Sequence, residues 1–195
     1  QGGRTAGVPG EDAAGIQTAV ALLRTVGGDE SHKMTGKTVV IGGGNVAIDA
    51  ARVALRCGSS DVTMACLEPR EKMPASAEEI AEAEEEGTAI RCGYGPKEFL
   101  TKDGHVCGVV LKRCTGLYDV EGRFAPTYDE NVTITLPCDN VVLSIGQCIQ
   151  WGNLLDGEAV QLGRGQGAVA DATTYQTAQP DIFVGGDVYT GPRFA

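Results

Sequence analysis

The chain has no C-x-x-C pair, and its seven cysteines (Cys57, Cys66, Cys92, Cys107, Cys114, Cys138 and Cys148) are scattered over 195 residues. That scatter excludes the spacings typical of zinc and iron–sulfur ligand sets. It reads instead as reduced thiols in a cytoplasmic protein, with Cys66, inside an apolar run, acting as a small core hydrophobe. No apolar run approaches the roughly 20 residues that span a bilayer, and no signal-peptide pattern opens the chain, so no membrane partner is expected. Positive charge is also scarce. The 16 Lys and Arg against 26 Asp and Glu leave a net charge of -10, which argues against nucleic acid and anionic lipid, both of which need clustered cations. There is no internal repeat and no low-complexity tract. At this length one well-buried core plus some appended structure is expected, not two full domains.

What the chain has in quantity is glycine: 28 residues, spread as turn punctuation. Residues 1–10 lack periodicity and read as a loop, or as a segment cut from something larger. Residues 11–25 carry Ile16, Val20 and Leu23 at helical spacing, and residues 27–36 read as an exposed connection. From Lys37 the pattern alternates. KTVVI is a short apolar strand of the kind buried in a parallel sheet. Asn45–Cys57 is a helix closed by Gly58, and DVTMACL is a second strand. SAEEIAEAEEEG is a second helix, with Ser76 and Glu79 as a capping box and Gly87 as the stop. AIRC is a third strand. The acidic run from Glu82 to Glu86 reads as a solvated helix face that lacks the partners a metal would need.

After residue 97 the character changes. An Asp103-Gly104 turn lies between strand-like runs, a hairpin signal. NVTITL alternates cleanly, and NVVLSIGQ returns to a buried strand ending in glycine. The order βαβαβ, then a meander, then a closing strand predicts an α/β fold: a Rossmann-like parallel sheet with helices on both faces and a small antiparallel β-meander.

The candidate site is Gly42-x-Gly44-x-x-Ala47. The first glycine permits a tight turn out of the strand, the second lets the backbone approach a pyrophosphate, and Ala47 lets the helix pack closely. Asn45 and Val46 would lend backbone N–H groups at the positive end of the helix dipole. A plain strand-to-helix turn is the alternative. Against it stand the apolar strand, the following helix, and Ala47, Ala50, Ala51 and Ala54 on one face. Asp49 and Arg52 read as a surface pair. Specificity between nucleotides is set after the second strand, where an acidic side chain suits the ribose 2′-hydroxyl and arginine suits a 2′-phosphate. Glu68 there favours NAD(H). Arg70 and Lys72 could turn toward the phosphate of NADP(H), or Arg70 could pair with Glu68 or Glu71. Gly146 and Gln147, after a central strand, would lie near the nicotinamide, because ligands gather at strand C-termini.

In this order VVIGGGNVAIDAARVALRCG, REKMPASAEEIAEAEEEG, IGQ and TAQPDIFVGGDVYTGPRFA resemble the small-subunit (beta-subunit) family of glutamate synthase. Similar flavin modules occur in dihydropyrimidine dehydrogenase and related bacterial oxidoreductases. The resemblance runs from GVPGED near residue 8 to the last residue. It implies a flavoprotein with two dinucleotide-binding domains, in which NAD(P)H passes a hydride to FAD. Electrons then leave through iron–sulfur clusters in a partner domain or a larger catalytic subunit. Residues 1–36 would be a crossing segment and helix from the FAD domain, 37–150 the NAD(P)H-binding domain, and 151–195 the return into the FAD domain. Gly186 and Asp187 would meet the ribityl chain of FAD; without the resemblance they read as a strand-to-helix turn with an acidic N-cap.

Two departures shape the expectation. Leu67 and Glu68 stand where NADPH-using members of the family carry paired arginines, which supports NAD(H). The N-terminal FAD fingerprint and the cysteine-rich cluster motifs are missing, so the chain is expected to be a piece of a longer protein that binds nucleotide without turnover of its own. Hydride transfer needs no acid or base from the protein, and no catalytic side chain is expected. Rival readings are a disulfide reductase of the thioredoxin reductase type, disfavoured by the missing C-x-x-C, and a non-catalytic nucleotide-sensing module, disfavoured by the G-G-D segment.

Overall fold

The computed structural model describes residues 2–29 and 31–191; the last four residues of the resemblance, 192–195, lie outside it. The described residues divide into two compact units, one running from Gly3 to Gly146 and one of Gly2 with the residues from Gln147 onward.

After a two-residue strand β1 (Gly2–Gly3), the larger unit runs β2 (Ile16–Thr18), α1 (Ala19–Gly28), β3 (Lys37–Ile41), α2 (Asn45–Arg56), β4 (Asp61–Cys66), α3 (Ala77–Glu85) and β5 (Ala89–Cys92). A meander of β6 (Tyr94–Lys102), β7 (His105–Tyr118) and β8 (Phe124–Pro137) follows, and β9 (Asn140–Leu143) closes the unit. Strands β2-β9-β3-β4-β5 form a five-stranded parallel sheet in that order. β9 therefore enters the middle of the sheet, with Val141 beside both Ile16 and Val39. Its entry is fixed by Asp139, whose Oδ2 accepts the Lys37 N–H at 2.8 Å across 102 positions of sequence.

The two sheet faces are buried differently. Val40, Val62, Met64 and Val142 pack under α1, α2 and α3, against Leu22, Ala47, Ile48, Ala51 and Ile80. The alternate positions Val39, Ile41, Ala65, Val141 and Leu143 pack against Phe99, Val106, Val109 and Leu111 of the meander. Period-two alternation sorts these residues between the faces. The parallel sheet, its helices and the antiparallel meander are all present as expected, with one difference in arrangement. Helices on both faces were expected, but the meander occupies the second face, because its apolar side supplies the cover that a helix would otherwise give.

Local expectations fare unevenly. The Asp103-Gly104 hairpin forms, with φ of 52° and 79°, a primed turn matching strand twist. The helix expected over 11–25 is displaced to Ala19–Gly28. Gly15 at φ 87° interrupts the run, Ile16 pairs into the sheet, and Thr18 caps the helix by accepting the Ala21 N–H at 3.3 Å. The buried face is then Ala19 and Leu22, not Val20 and Leu23. The connection before β3 is not wholly exposed either, since Met34 is buried in the core.

The smaller unit has little regular structure. It holds β10 (Gln147–Cys148), a bridge between Gln176 and Phe183, and one turn of helix, α4 (Asp187–Thr190). Asp171 organises one of its loops by accepting the N–H groups of Thr173 and Thr174 at 2.9 and 2.8 Å. No helix among the described residues is long and apolar enough to cross a membrane.

Candidate functional site

The parallel sheet reverses its winding between β3 and β9, and a glycine turn sits at the C-terminal end of that junction. Gly42 leaves β3 with φ 143°, and a Cβ on it would stand 2.3 Å from the Ser144 carbonyl oxygen, just beyond β9. Its N–H donates to Ala65 O at 2.8 Å, and Ser144 N–H donates to Ile41 O at 2.8 Å, so the turn is held from both neighbouring strands. Crevices at such reversal points are where open α/β sheets take their ligands.

Gly44 is the N-cap of α2, and a Cβ there would meet nothing within 4 Å. Its carbonyl accepts Ala47 N–H at 2.9 Å and Ile48 N–H at 3.2 Å. The N–H groups of Asn45 and Val46 have no acceptor among the described residues. Ala47, Ala50, Ala51 and Ala54 are fully buried and bring the helix close to the sheet. The turn thus presents two free donors at the positive end of a helix, beside an open space.

A second segment, between β4 and α3, is strapped over the turn. Ala75 N–H donates to Gly43 O at 3.1 Å, and Ser76 N–H donates to Asn45 Oδ1 at 3.0 Å. Ser76 also caps α3 by accepting the Glu79 N–H at 3.3 Å. Only half of the expected capping box forms, because Asn45 takes the Ser76 N–H that Glu79 would have reached. Glu79 Oε2 is left buried with no hydrogen-bond partner among the described residues. Neither Gly43 nor this strap was singled out from the sequence. The contacts lie between residues about 30 positions apart and leave no periodic trace.

Glu68 follows β4 and leans onto the same turn. A Cβ on Gly43 would lie 3.0 Å from Glu68 Oε2 and 2.9 Å from Cys66 Cβ, so only glycine at 43 allows the carboxylate this close. Arg70 is turned elsewhere. It makes a two-pronged pair with Glu84 of α3, at 2.8 Å to Oε1 and 2.5 Å to Oε2, and not with Glu68 or Glu71. Arg52 likewise reaches across to α3, pairing with Glu82 at 2.7 Å and Glu86 at 2.6 Å, while Arg56 also holds Glu86. The expected Asp49–Arg52 pair gives way to these contacts. The acidic run is therefore not simply a solvated face, since three of its glutamates tie α3 to α2 and to the strap. Arg52 and then Arg56 hold the Glu86 carboxyl below the usual glutamate range. No cluster of metal-ligating side chains occurs among the described residues.

The remaining candidates fall in two places. Gly146, with φ 100°, lies at the end of the larger unit, where its carbonyl accepts Arg4 N–H at 3.1 Å. Gln147 belongs to the smaller unit. There Gly186, at φ 61°, is the N-cap of α4, and Asp187 is the first helical residue. The cap is thus the glycine and not the aspartate.

Comparison with known proteins matches this arrangement. A sequence model described as pyridine nucleotide-disulphide oxidoreductase matches residues 2–195. The chain is 37% identical over 191 residues to the NADP(+)-dependent formate dehydrogenase subunit beta of Moorella thermoacetica, covering 96% of this chain and 27% of that protein. It is 31% identical over 199 residues to the glutamate synthase [NADPH] small chain of Halomonas elongata, covering 95% of this chain and 42% of that one. The chain therefore spans less than half the length of these relatives. Among solved structures, Mycobacterium tuberculosis FprA in complex with NADPH superposes with a TM-score of 0.74 at 19% identity, over 100% of this chain and 57% of that one.

Proposed function

The chain belongs to the pyridine nucleotide-disulphide oxidoreductase family, and from that premise we propose that residues 37–150 are the NAD(P)H-binding domain of an FAD-dependent oxidoreductase of the glutamate synthase small-subunit type. Residues 1–36 and 151–195 are then the crossing and return segments of its FAD domain. The observation that carries this reading is the pair of unpartnered N–H groups on Asn45 and Val46, beside the open face of Gly44. A pyrophosphate needs backbone donors, a helix N-terminus and no side chain in the way. Gly42, Gly44 and Ala47 meet the steric requirement, and Asn45 and Val46 supply the donors.

Glu68 judges the ribose. Its carboxylate, held over Gly43, accepts hydrogen bonds from a 2′-hydroxyl and repels a 2′-phosphate, so the site prefers NAD(H). The names of the relatives carry NADP or NADPH, and the preference is where this chain departs from them. Arg70 is the second reading for the 2′ position, and it would first have to leave Glu84. Gly146 and Gln147 serve the nicotinamide end, and Gly186 and Asp187 serve the ribityl chain of FAD. Gly186 suits that role because a Cβ there would meet nothing within 4 Å.

The bound cofactors supply the chemistry, a hydride passing from nicotinamide to flavin. The chain's own residues bind, orient and select the nucleotide. Electrons would go on to iron–sulfur centres in a further domain or a larger subunit. Relatives named as a subunit beta and a small chain support a place in a larger assembly. Calorimetric titration with NADH and NADPH tests the reading. Binding of both, with NADH tighter, is expected. Binding of neither refutes the nucleotide site, and tighter NADPH refutes the role given to Glu68.

A further inference from the structure

Cys66 and Cys92 end β4 and β5 and are register partners on these adjacent parallel strands. In-register neighbours direct their side chains to the same face, here the face under α2 and α3. The two Sγ atoms are 3.9 Å apart, and Cys92 Sγ lies 3.8 Å from Sδ of Met73, in the strap that follows β4. Three sulfurs from three segments thus meet at the strand ends. Metal–sulfur bonds of about 2.3 Å place ligand sulfurs about 3.8 Å apart in tetrahedral and about 4.0 Å apart in trigonal coordination. Both separations, 3.9 and 3.8 Å, fall within that interval.

We propose that Cys66, Cys92 and Met73 form a binding site for one soft monovalent metal ion of the copper(I) or silver(I) type. Two thiolates and a thioether are the donors such ions select. Zinc is a poor fit, since it completes its shell with imidazole, carboxylate or further thiolate, and no such ligand cluster occurs among the described residues. Uptake displaces the two thiol protons, which leave to solvent, and forms two metal–thiolate bonds and one thioether bond with no change of oxidation state. The ion and two thiolates carry a net charge of -1. Cys92 is half-buried and gives the ion its way in. A disulfide would instead require the sulfurs to close from 3.9 Å to about 2.05 Å, a rearrangement that metal binding does not need.

The test is anaerobic titration of the reduced chain with copper(I) against a chromogenic copper(I) chelator, comparing wild type with C92S, M73L and, as a control at an exposed thiol, C107S. One tightly held ion is expected. C92S should weaken it about 100-fold or more, M73L about tenfold, and C107S should leave it unchanged. X-ray absorption on the one-ion form should show three sulfurs at about 2.3 Å. Far-ultraviolet circular dichroism of the metal-free variants confirms that they fold. Equal affinity in C92S and wild type overturns the proposal. So does a wild-type chain that holds no ion against the chelator. Neither readout depends on nucleotide binding.

Discussion

Gly42 and Ser144 approach so closely that a methyl group on the glycine would stand 2.3 Å from the serine carbonyl oxygen, at a φ of 143° that disfavours any side chain. Gly44, two residues on, has open space on the same test. The two glycines therefore face different constraints, and on the proposed function Gly44 leaves room for the ligand. Gly42→Ala is expected to cost about 2–4 kcal/mol of stability, read by urea unfolding. Gly44→Ala is expected to cost about 1 kcal/mol or less, because alanine is a poorer N-cap than glycine. Its larger effect is on nucleotide affinity, which should fall about tenfold or more as the methyl enters the pyrophosphate's space. Equal stability losses in the two variants would contradict this division.

Glu68 is expected to set nucleotide preference through charge. Glu68→Gln keeps the shape of the side chain and removes its repulsion of a 2′-phosphate. The ratio of NADPH to NADH affinity should rise about tenfold, or about 1.4 kcal/mol, measured by quenching of nucleotide fluorescence. An unchanged ratio would place the 2′ position elsewhere.

Acid should loosen the contact between α2 and α3. The Glu86 carboxyl is held low by Arg52 and then Arg56, so its folded value lies below its unfolded one near 4.5. Its contribution is complete above that unfolded value and is lost as pH falls through the depressed folded value. The thermal midpoint of the wild type should drop steadily below about pH 4.5, while Glu86→Gln should start lower at neutral pH and fall less steeply over the same interval. Parallel curves would show that this ion pair contributes nothing to stability.

The strap over the glycine turn hangs on one side-chain acceptor. Asn45→Ala leaves the Ser76 N–H without the bond it makes to Oδ1 at 3.0 Å, at a cost of about 1 kcal/mol. Amide exchange at Ser76 should quicken in this variant, while exchange in β3 and β9 stays slow. Uniform acceleration across the sheet would mean that the strap has no independent role.

Much of this molecule was legible in its sequence, for identifiable reasons. KTVVI, DVTMACL and NVVLSIGQ read as strands because their apolar residues run continuously, and Asn45–Cys57 reads as a helix because its alanines repeat at helical spacing; the observed elements are Lys37–Ile41, Asp61–Cys66, Asn140–Leu143 and Asn45–Arg56. The glycine turn was legible because Gly42 answers a backbone requirement that no other residue meets. Residues 11–25 were misread because Gly15 and the Thr18 cap outweigh an apolar spacing that was only approximate. The partners of Arg52 and Arg70 were invisible for another reason. Each bond joins surfaces that come together only once α3 has packed beside α2, whereas spacing arguments see neighbours within a single helix. The preference for helices on both faces failed for lack of any signal telling which side of the sheet the meander would take.

The position of β9 also constrains how the molecule comes into being. A chain emerging from the ribosome presents β3, α2, β4, α3 and β5 as one continuous local unit, ready to collapse together. The strand that belongs between β2 and β3 emerges only after the whole meander, about a hundred residues behind β3. Until then the inner edges of β2 and β3 lack their shared partner, an exposure that favours pairing with other chains. Folding of the sheet is thus a late, long-range closure, slow by the cost of such loops. A nascent chain stalled before residue 140 would be a natural client for a chaperone.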